Sequence, residues 1–211
     1  MLEDVGGTTL LGRVLSRLSK AKNLTKIVVA TSVDGSDDEI YNYCKTNGIS
    51  CLRGSLLDVA DRYMKAIVTE NVPTFVRISG DSPVIDPVLV DYAVDLFNNG
   101  DFDLVTNVFP RTYPKGQSVE IVSTEIFIKS YSQFKDISHF EHVTKYFYDY
   151  AGEFKIKNFE SAIDYGNVNL CIDTPKDLSN MTNILNSQNN QPADWKSLAD
   201  TYLSLNPSKQ S

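Results

Sequence analysis

The sequence has few cysteines and no long apolar run. Its three cysteines, Cys44, Cys51 and Cys171, are odd in number and lack the spacing of a metal site. We therefore expect reduced structural thiols rather than a disulfide framework or a zinc site. No apolar run approaches the ~18 residues that would span a bilayer, and the N-terminus lacks the basic and apolar segments of a signal peptide. The chain is expected to be intracellular and cytoplasmic, without a membrane partner.

Positive charge and histidine are also scarce. The 211 residues carry 20 Lys and Arg against 27 Asp and Glu, which gives a formal net charge of −7. Since nucleic acids and anionic membranes bind basic surfaces, neither is an expected partner. A small anionic molecule is still compatible with this charge, because a few local cations or a metal ion can bind it. The two histidines and the lack of a G-x-S-x-G segment argue against a catalytic triad.

Strand-like and helix-like segments alternate along most of the chain, and this alternation predicts an α/β fold. Residues 27–31 form a continuous apolar strand, which is typical of a parallel sheet covered by helices on both faces. The alternation breaks at residues 109–116, where two prolines and a glycine predict a loop. We expect one helix over residues 138–150 and a further strand over residues 168–173.

The length of 211 residues fits one large domain, because domains divide beyond ~250 residues. We predict an α/β domain over residues 1–188, followed over residues 189–211 by a polar linker and a short C-terminal helix. Asn, Gln and Ser dominate the linker, and Trp195, Leu198 and Tyr202 have helical spacing.

Two acidic residues occupy equivalent positions. Asp81 and Asp173 each follow an apolar strand and precede the Pro-containing start of a helix. In open α/β sheets, ligands bind outside the carboxyl ends of the strands. Two carboxylates that meet there are an oxygen-ligand set suited to Mg²⁺. The alternative is that both residues only cap the helices that follow.

Several cations lie near these positions. Arg77 is inside an apolar strand, where its guanidinium needs an anionic ligand or an internal salt bridge. Arg53-Gly54-Ser55 precedes a helix that carries Arg62, and such a loop can hold a base edge or a phosphate, although taken alone it is ordinary. The loop that contains Arg111, Tyr113 and Lys115 is suited to an acidic sugar. The alternative for that loop is a solvated basic surface.

Three further patterns give weaker signals. His139 and His142 flank Glu141, but a metal site would need a third ligand, so surface or capping histidines are expected. Asp101-Phe102-Asp103 matches the D-x-D pattern of metal-dependent glycosyltransferases, yet it precedes its strand and so lies at the wrong side of the sheet. Gly6-Gly7 follows no strand, so it predicts a plain turn.

Taken in order, these motifs resemble the cytidylyltransferases that make CMP-activated sugars, in particular the branch of spore-coat polysaccharide biosynthesis protein F. The resemblance runs to about Leu185 and leaves only the last ~25 residues outside. The matching segments are Ile27 to Ser32, Arg53-Gly54-Ser55, Arg77-Ile78-Ser79-Gly80-Asp81-Ser82-Pro83, Pro110-Arg111-Thr112-Tyr113-Pro114-Lys115-Gly116, Val119-Glu120, Glu141-His142-Val143-Thr144 and Ile172-Asp173-Thr174-Pro175.

This resemblance implies a Rossmann-like, mostly parallel sheet with helices on both faces, and a segment at about 109–150 that projects to form a homodimer and the sugar site. It implies transfer of CMP from CTP to a sugar, with Mg²⁺ held by Asp81 and Asp173 and with Arg77 as a third catalytic residue. The residues that would contact the nucleotide are Thr31, Ser32, Arg53, Gly54, Ser55, Arg62, Ser79 and Gly80. Those that would contact the sugar are Arg111, Tyr113, Lys115, Glu120 and His142.

One departure from the family pattern concerns its phosphate-binding element. Family members open with a strand and a basic loop of the type A-x-R-x-G-S-x-R-L-P-x-K, and Met1 aligns where that loop ends. We expect the first strand to be missing, through a truncated or misassigned start or in a degenerate member. Two alternatives therefore stay open: a noncatalytic nucleotide-sugar-binding or interaction protein, and a glycosyltransferase of related architecture.

Overall fold

The computed structural model describes residues 1–189, 191 and 193–207. Parts of the predicted polar linker and tail, residues 190, 192 and 208–211, lie outside the described residues. The helices are α1 (Leu10–Leu18), α2 (Asp38–Thr46), α3 (Val59–Glu70), α4 (Pro87–Asn98), α5 (Thr124–Tyr131), α6 (Ile137–Glu141), α7 (Lys145–Asp149), α8 (Pro175–Ser187) and α9 (Trp195–Leu205). The strands are β1 (Val28–Ser32), β2 (Ser50–Gly54), β3 (Thr74–Arg77), β4 (Leu104–Thr106), β5 (Glu120–Ser123) and β6 (Ile156–Asn158).

The strands pair into two sheets. β1 and β2 are parallel, and the second sheet has the order β3-β5-β4-β6. In that sheet β5 is antiparallel to both β3 and β4, whereas β4 and β6 are parallel. The predicted α/β fold class is confirmed, but the sheets are mixed rather than mostly parallel. The reason is the segment between β4 and β5, which contains no helix that could return the chain for a parallel crossover.

Local capping chemistry sets the starts of the helices that follow the site. Asp86 caps α4 and Pro87 occupies its first turn, where the missing N–H of proline costs nothing. Thr174 caps α8 and forms a reciprocal capping box with Asp177. These helix starts were predicted from the sequence and are confirmed.

Two predicted elements are wrong in detail. The helix expected over residues 138–150 is two short helices, α6 and α7, separated at His142, whose φ of −108° and ψ of 80° leave the helical region. The strand expected over residues 168–173 is an extended segment with one isolated bridge, between Lys115 and Asn169. The ladder does not continue, because the backbone N–H of Gln117 donates to the carbonyl oxygen of Pro114 and that of Val168 to the carbonyl oxygen of Tyr165.

Among the described residues, three clusters of buried side chains pack the helices against the strands and against one another. The first joins α1, α4, β4 and β5, and the second lies under α3, α5 and α7. The third packs α8 against α9 through Met181, Ile184, Leu198 and Tyr202. Within the described part of the chain, no helix is both long and apolar enough to cross a membrane.

Candidate active site

Two carboxylates meet beyond the end of β3. The backbone N–H of Ile172 donates to the carbonyl oxygen of Asp81 at 2.9 Å, so the segment that carries Asp173 lies against Asp81. Burial raises the pKa of Asp173, the carboxylates of Asp81 and Asp177 raise it further, and the charge of Lys115 opposes them. The structure thus brings together the two residues that the sequence predicts as metal ligands.

Neither carboxylate caps the helix that follows it. The side chain that caps α4 is Asp86, and the side chain that caps α8 is Thr174. The capping alternative for Asp81 and Asp173 is therefore wrong. Both carboxylates stay available for a ligand.

The donor set at this edge fits Mg²⁺ that arrives with a nucleotide. Burial raises the pKa of the Cys171 thiol to about 12, and Asp81 and Asp173 add to that effect, so the thiol is neutral at pH 7. Among the described residues there is no group of three or more His, Cys, Asp and Glu that could hold a metal by itself. Mg²⁺ is commonly bound by one or two carboxylates, with water and substrate phosphates completing its shell.

At the ends of β1 and β2, predicted nucleotide residues surround Asp37. The hydroxyl of Thr31 and the backbone N–H of Ser32 each donate to Asp37 Oδ2 at 2.8 Å. Burial opposes ionisation of Asp37, but hydrogen bonds from Ser32 and Thr31 and the charge of Arg62 lower its pKa overall. Asp37 was not among the predicted site residues. A Thr-Ser strand end followed by an acidic loop was the available signal.

Arg53 fixes the same loop. Its Nε donates to the carbonyl oxygen of Ser32 at 2.7 Å and its Nη2 to that of Asp34 at 3.0 Å. It also forms a 2.8 Å ion pair with Asp38 and lies 5.3 Å from the ring centroid of Tyr41. Arg53 therefore shapes the loop after β1.

The side chain of Arg62 passes over Gly54, and its Nε donor has no hydrogen-bond partner among the described residues. A Cβ atom on Gly54 would lie 2.8 Å from Arg62 Cγ, so only glycine allows this approach. Arg62 Nε is buried and has no hydrogen-bond partner among the described residues. Because buried donors are normally paired, this nitrogen indicates an acceptor supplied by a ligand or water.

The other predicted nucleotide residues lie in two short loops. Ser55 accepts a 3.0 Å hydrogen bond from the backbone N–H of Asp58, which caps α3. Ser79 and Gly80 lie between β3 and Asp81, and a Cβ on Gly80 would be 2.6 Å from Met1 Cε. The side chain of Met1 thus packs directly over Gly80.

A buried polar network surrounds Glu120, which is 1% exposed. Its carboxylate accepts from Arg77 Nη1 at 2.8 Å, from the Thr144 hydroxyl at 2.7 Å and from the hydroxyl of Tyr148. Burial alone would lower the pKa of Arg77, but the Glu120 carboxylate raises it overall. The internal salt bridge considered for Arg77 is therefore present. These donors enclose Glu120, and its predicted direct contact with the sugar stays a prediction.

Arg111 lies near the Glu120 network. It is half-buried, and its Nη1 donates to the Ser118 hydroxyl at 3.0 Å. Burial lowers its pKa, while Cys171, Glu120 and Tyr148 raise it, so the guanidinium lies within electrostatic reach of Cys171 and of the Glu120 network. Arg111 is thus a half-buried cation beside the Glu120 network and Cys171.

Lys115 approaches the carboxylate pair from the same loop. Gly116 adopts a φ of +92°, and a Cβ there would lie 2.7 Å from the backbone carbon and oxygen of Leu170. This contact needs glycine for both conformation and space. It holds the exposed Lys115 close enough to Asp173 to affect the pKa of that carboxyl.

A family model described as Cytidylyltransferase matches residues 1–200 of this chain. The chain belongs to the cytidylyltransferase family. Among its relatives, spore coat polysaccharide biosynthesis protein SpsF of Bacillus subtilis is 27% identical over 98% of this chain and 88% of that protein. The predicted family and branch are confirmed.

Solved structures of cytidylyltransferases share the fold. A cytidylyltransferase from Leptospira borgpetersenii superposes with a TM-score of 0.91 at 31% identity, over 99% of this chain and 88% of that one. A CMP:2-keto-3-deoxy-manno-octonic acid synthetase complexed with CTP superposes with a TM-score of 0.66 over 89% of this chain and 91% of that one. Its 14% identity supports the fold alone.

Two further residues predicted to contact the sugar are Tyr113 and His142. Tyr113 is 7% exposed and packs edge-on against Trp195 and Phe159, with centroid distances of 4.9 and 5.7 Å. Trp195 of α9 is an aromatic partner that covers the ring, and the predicted contact of Tyr113 with the sugar stays a prediction. His142 is exposed at the end of α6, and its role in sugar binding stays a prediction.

His139 is buried rather than exposed. It is 5% exposed, with its ring 5.5 Å from Phe134 and 5.2 Å from Tyr146. Its Nε2 lies 2.9 Å from Asp149 Oδ2. The expectation of a surface or capping histidine is therefore wrong at this position, because α6 folds back onto an aromatic cluster.

The D-x-D pattern does not reach the site. Lys155 Nζ donates to Asp101 at 2.6 Å, and the backbone N–H of Lys155 donates to Asp103 at 2.8 Å. Both carboxylates thus tie the start of β4 to β6, as expected for residues that precede a strand.

Proposed function

We propose that this protein transfers CMP from CTP to a sugar, with release of pyrophosphate, in surface-polysaccharide or related sugar metabolism. The observation that carries the proposal is the Asp81 and Asp173 pair, held together beyond the end of β3 in a chain of the cytidylyltransferase family. The relative named for spore-coat polysaccharide biosynthesis supports the sugar as acceptor.

Mg²⁺ is the proposed cofactor, with Asp81 and Asp173 as its protein ligands. When bound, the ion would neutralise negative charge on the phosphates of CTP. Mg²⁺ commonly takes one or two carboxylate ligands from a protein when a nucleotide and water complete its coordination shell, and Asp81 and Asp173 supply two. Asp81 is also linked through its carbonyl oxygen to Ile172, which keeps the pair in register.

The nucleotide is proposed to lie along the loops that follow β1 and β2. Asp37 orders the first loop through Thr31 and Ser32. The buried, unsatisfied Nε of Arg62 is the donor that a ligand oxygen would pair. These groups would orient CTP so that its α-phosphate faces the carboxylate edge.

The acceptor is proposed to be a sugar acid. Arg111 is a half-buried cation fixed by Ser118, and a guanidinium can bind a carboxylate through two parallel hydrogen bonds. Lys115 adds a second cation on the side of Asp173. A neutral sugar would leave Arg111 without an anionic partner.

The chemistry needs alignment more than a strong base. A hydroxyl oxygen of the sugar forms a bond to the α-phosphorus and loses its proton to water, and the bond from that phosphorus to the oxygen bridging the β-phosphate breaks in line with it. Pyrophosphate leaves with the bridging oxygen. Such displacements depend on positioning and charge neutralisation, which a site of carboxylates, metal and cations supplies.

A homodimer in the cytoplasm is the proposed state of the protein. The segment at residues 109–150 carries exposed apolar side chains, of which Ile137 is 80% exposed and Phe109 is 44% exposed. Exposed apolar side chains of this kind support an interface when they are contiguous. The three cysteines are free, as expected in a reducing compartment. Light scattering tests the dimer: we expect wild type to be dimeric and Ile137→Asp to be monomeric. A monomeric wild type would refute the proposed dimer.

The test of the proposed reaction is pyrophosphate release from CTP and Mg²⁺ with a panel of acidic and neutral sugars. We expect release with at least one acidic sugar, and loss of release in Asp81→Asn. Asp101→Asn is the matched control, because Asp101 lies at the surface beside Lys155. A loss in the control and not in Asp81→Asn, together with binding of UDP-sugars, would instead support a glycosyltransferase.

No release with any sugar, combined with tight CTP binding, would support the noncatalytic nucleotide-binding alternative. The same assays therefore separate the enzyme from a binding protein of the same family. Circular dichroism of each variant shows whether the fold is retained.

A further inference from the structure

A cavity of about 210 Å³ lies between α1, α8 and α9. Buried side chains of Val84, Leu185 and Leu198 line its apolar part. None of the residues proposed to hold CTP, Mg²⁺ or the sugar is among those that line it. The cavity is therefore a separate feature of the fold.

Three cations line its polar part. Arg13 and Arg17 are one turn apart on α1, so their side chains lie on one face of the helix. Lys20 follows just beyond the end of α1 and lines the same cavity. Among the described residues, no carboxylate forms a salt bridge with any of the three, and no acidic residue lines the cavity.

Backbone carbonyl oxygens hold the two guanidiniums in place. Arg13 Nη2 donates to the carbonyl oxygen of Val5 at 2.6 Å. Arg17 donates through Nε to Ile85 at 2.8 Å and through Nη2 to Ala193 at 3.0 Å. Within the described chain, no hydrogen bond occupies the Nη1 atom of either arginine. Each guanidinium is thus fixed in orientation with donors to spare, which lowers the entropy cost of binding a ligand.

The charges of these arginines are only partly compensated. Burial lowers the pKa of Arg17, the charge of Asp86 raises it, Arg13 lowers it and Asp194 raises it. Burial also lowers the pKa of Arg13, and Asp4 opposes this. Arginine stays protonated in proteins, so two like charges face one cavity with a lysine at its edge.

We propose that this cavity binds a small phosphate-type anion, namely orthophosphate or pyrophosphate. Guanidiniums match the oxygen geometry of phosphate and are weakly hydrated. The volume decides between candidates of this chemistry, because sites for drug-sized ligands start at roughly 300 Å³. A cavity of about 210 Å³ therefore favours an anion of the size of phosphate or pyrophosphate over a whole nucleotide.

Binding there would connect two parts of the chain. The carbonyl of Ile85 belongs to the loop that follows Asp81, and the carbonyl of Ala193 directly precedes the cap of α9. An anion on Arg17 would hold both carbonyl contacts in place. Bound anion is therefore expected to raise the melting temperature.

The test is a calorimetric titration of orthophosphate and pyrophosphate at constant ionic strength, with EDTA present to keep metal from the carboxylate pair. We expect both anions to bind and to raise the melting temperature. Lys20→Gln should raise the Kd about fivefold, which corresponds to the free energy of one exposed ion pair. Ser16→Glu places a negative charge on the exposed rim of the same cavity and should abolish binding.

Lys22→Gln is the matched control, since Lys22 is a nearby surface lysine that does not line the cavity. Binding should be unchanged in it. Equal losses in Lys20→Gln and Lys22→Gln would show a general charge effect and overturn the proposal. It would also be overturned by no binding to wild type, or by undiminished binding to Ser16→Glu. None of these outcomes depends on cytidylyltransferase activity, so this test fails independently of the proposed function.

Discussion

Arg77 and Glu120 stand directly opposite each other in the antiparallel ladder of β3 and β5 and form a 2.8 Å ion pair. The side chain of Glu120 is 2% exposed and that of Arg77 is 27% exposed. Thr144 and Tyr148 donate to the same carboxylate. The pair thus ties the strand that leads to Asp81 to β5 and α7.

Replacing Glu120 with glutamine should destabilise the fold. The amide keeps the size of the side chain and can still accept from the two hydroxyls, but it leaves the partly buried guanidinium of Arg77 unpaired. We expect a loss of about 3 kcal/mol, which is typical when one partner of a buried pair is removed. Urea unfolding measures it. Glu125→Gln, at an exposed position of α5, should stay within about 0.5 kcal/mol of wild type; equal effects would refute the role of the pair.

Gly116→Ala should destabilise the protein and lower its activity. An alanine would meet the backbone of Leu170 at 2.7 Å in a left-handed conformation, so the loop must move and take Lys115 away from Asp173. The expected loss of stability is about 2 kcal/mol or more. Gly152→Ala is the control, because a Cβ there meets nothing within 4 Å. An alanine at residue 116 that is as stable and as active as the control would contradict the assigned contact.

Arg111 and Tyr113 should behave differently in sugar kinetics. Arg111→Gln removes the cation proposed to bind a sugar acid, so the KM for the sugar should rise about tenfold to a hundredfold, with the KM for CTP little changed. Tyr113→Phe keeps the ring that packs against Trp195, so the KM for the sugar should not change. Steady-state kinetics with both substrates checks this. A large rise in the KM for the sugar in Tyr113→Phe would instead show that the Tyr113 hydroxyl contacts the sugar.

Asp37 should make stability depend on pH in the acid range. Its pKa is lowered in the fold, so the carboxylate stabilises the protein above its unfolded pKa of about 3.9, and this contribution is lost as the pH falls through the lower folded value. The stability difference between wild type and Asp37→Asn should be largest above about pH 4 and close towards pH 2. Urea unfolding at each pH measures it. A stability difference between wild type and Asp37→Asn that grows as the pH falls would contradict this prediction.

Local chemistry made much of the fold predictable. The starts of α4 and α8 follow from Asp86-Pro87 and Thr174-Pro175, because capping depends on residues adjacent in sequence. The juxtaposition of Asp81 and Asp173 followed from their equivalent positions after apolar segments.

Features that depend on distant contacts could not be predicted in the same way. The direction of β5 depends on what the segment after β4 pairs with, and the burial of Tyr113 depends on Trp195, more than 80 residues away in sequence. Likewise, Glu120 was predicted to contact the sugar, but the three donors to its carboxylate come from β3, from α7 and from Thr144, which precedes α7. A single-sequence pattern carries no information on such pairings.

The central claim is that Asp81 and Asp173 form the metal edge of a CTP site. A titration of CTP with and without Mg²⁺ tests it on wild type, Asp81→Asn, Asp173→Asn and the surface control Asp101→Asn. The account predicts that Mg²⁺ tightens CTP binding to wild type and to the control, that this gain disappears in both site variants, and that UTP, GTP and ATP bind more weakly. An equal gain from Mg²⁺ in all four proteins would contradict it.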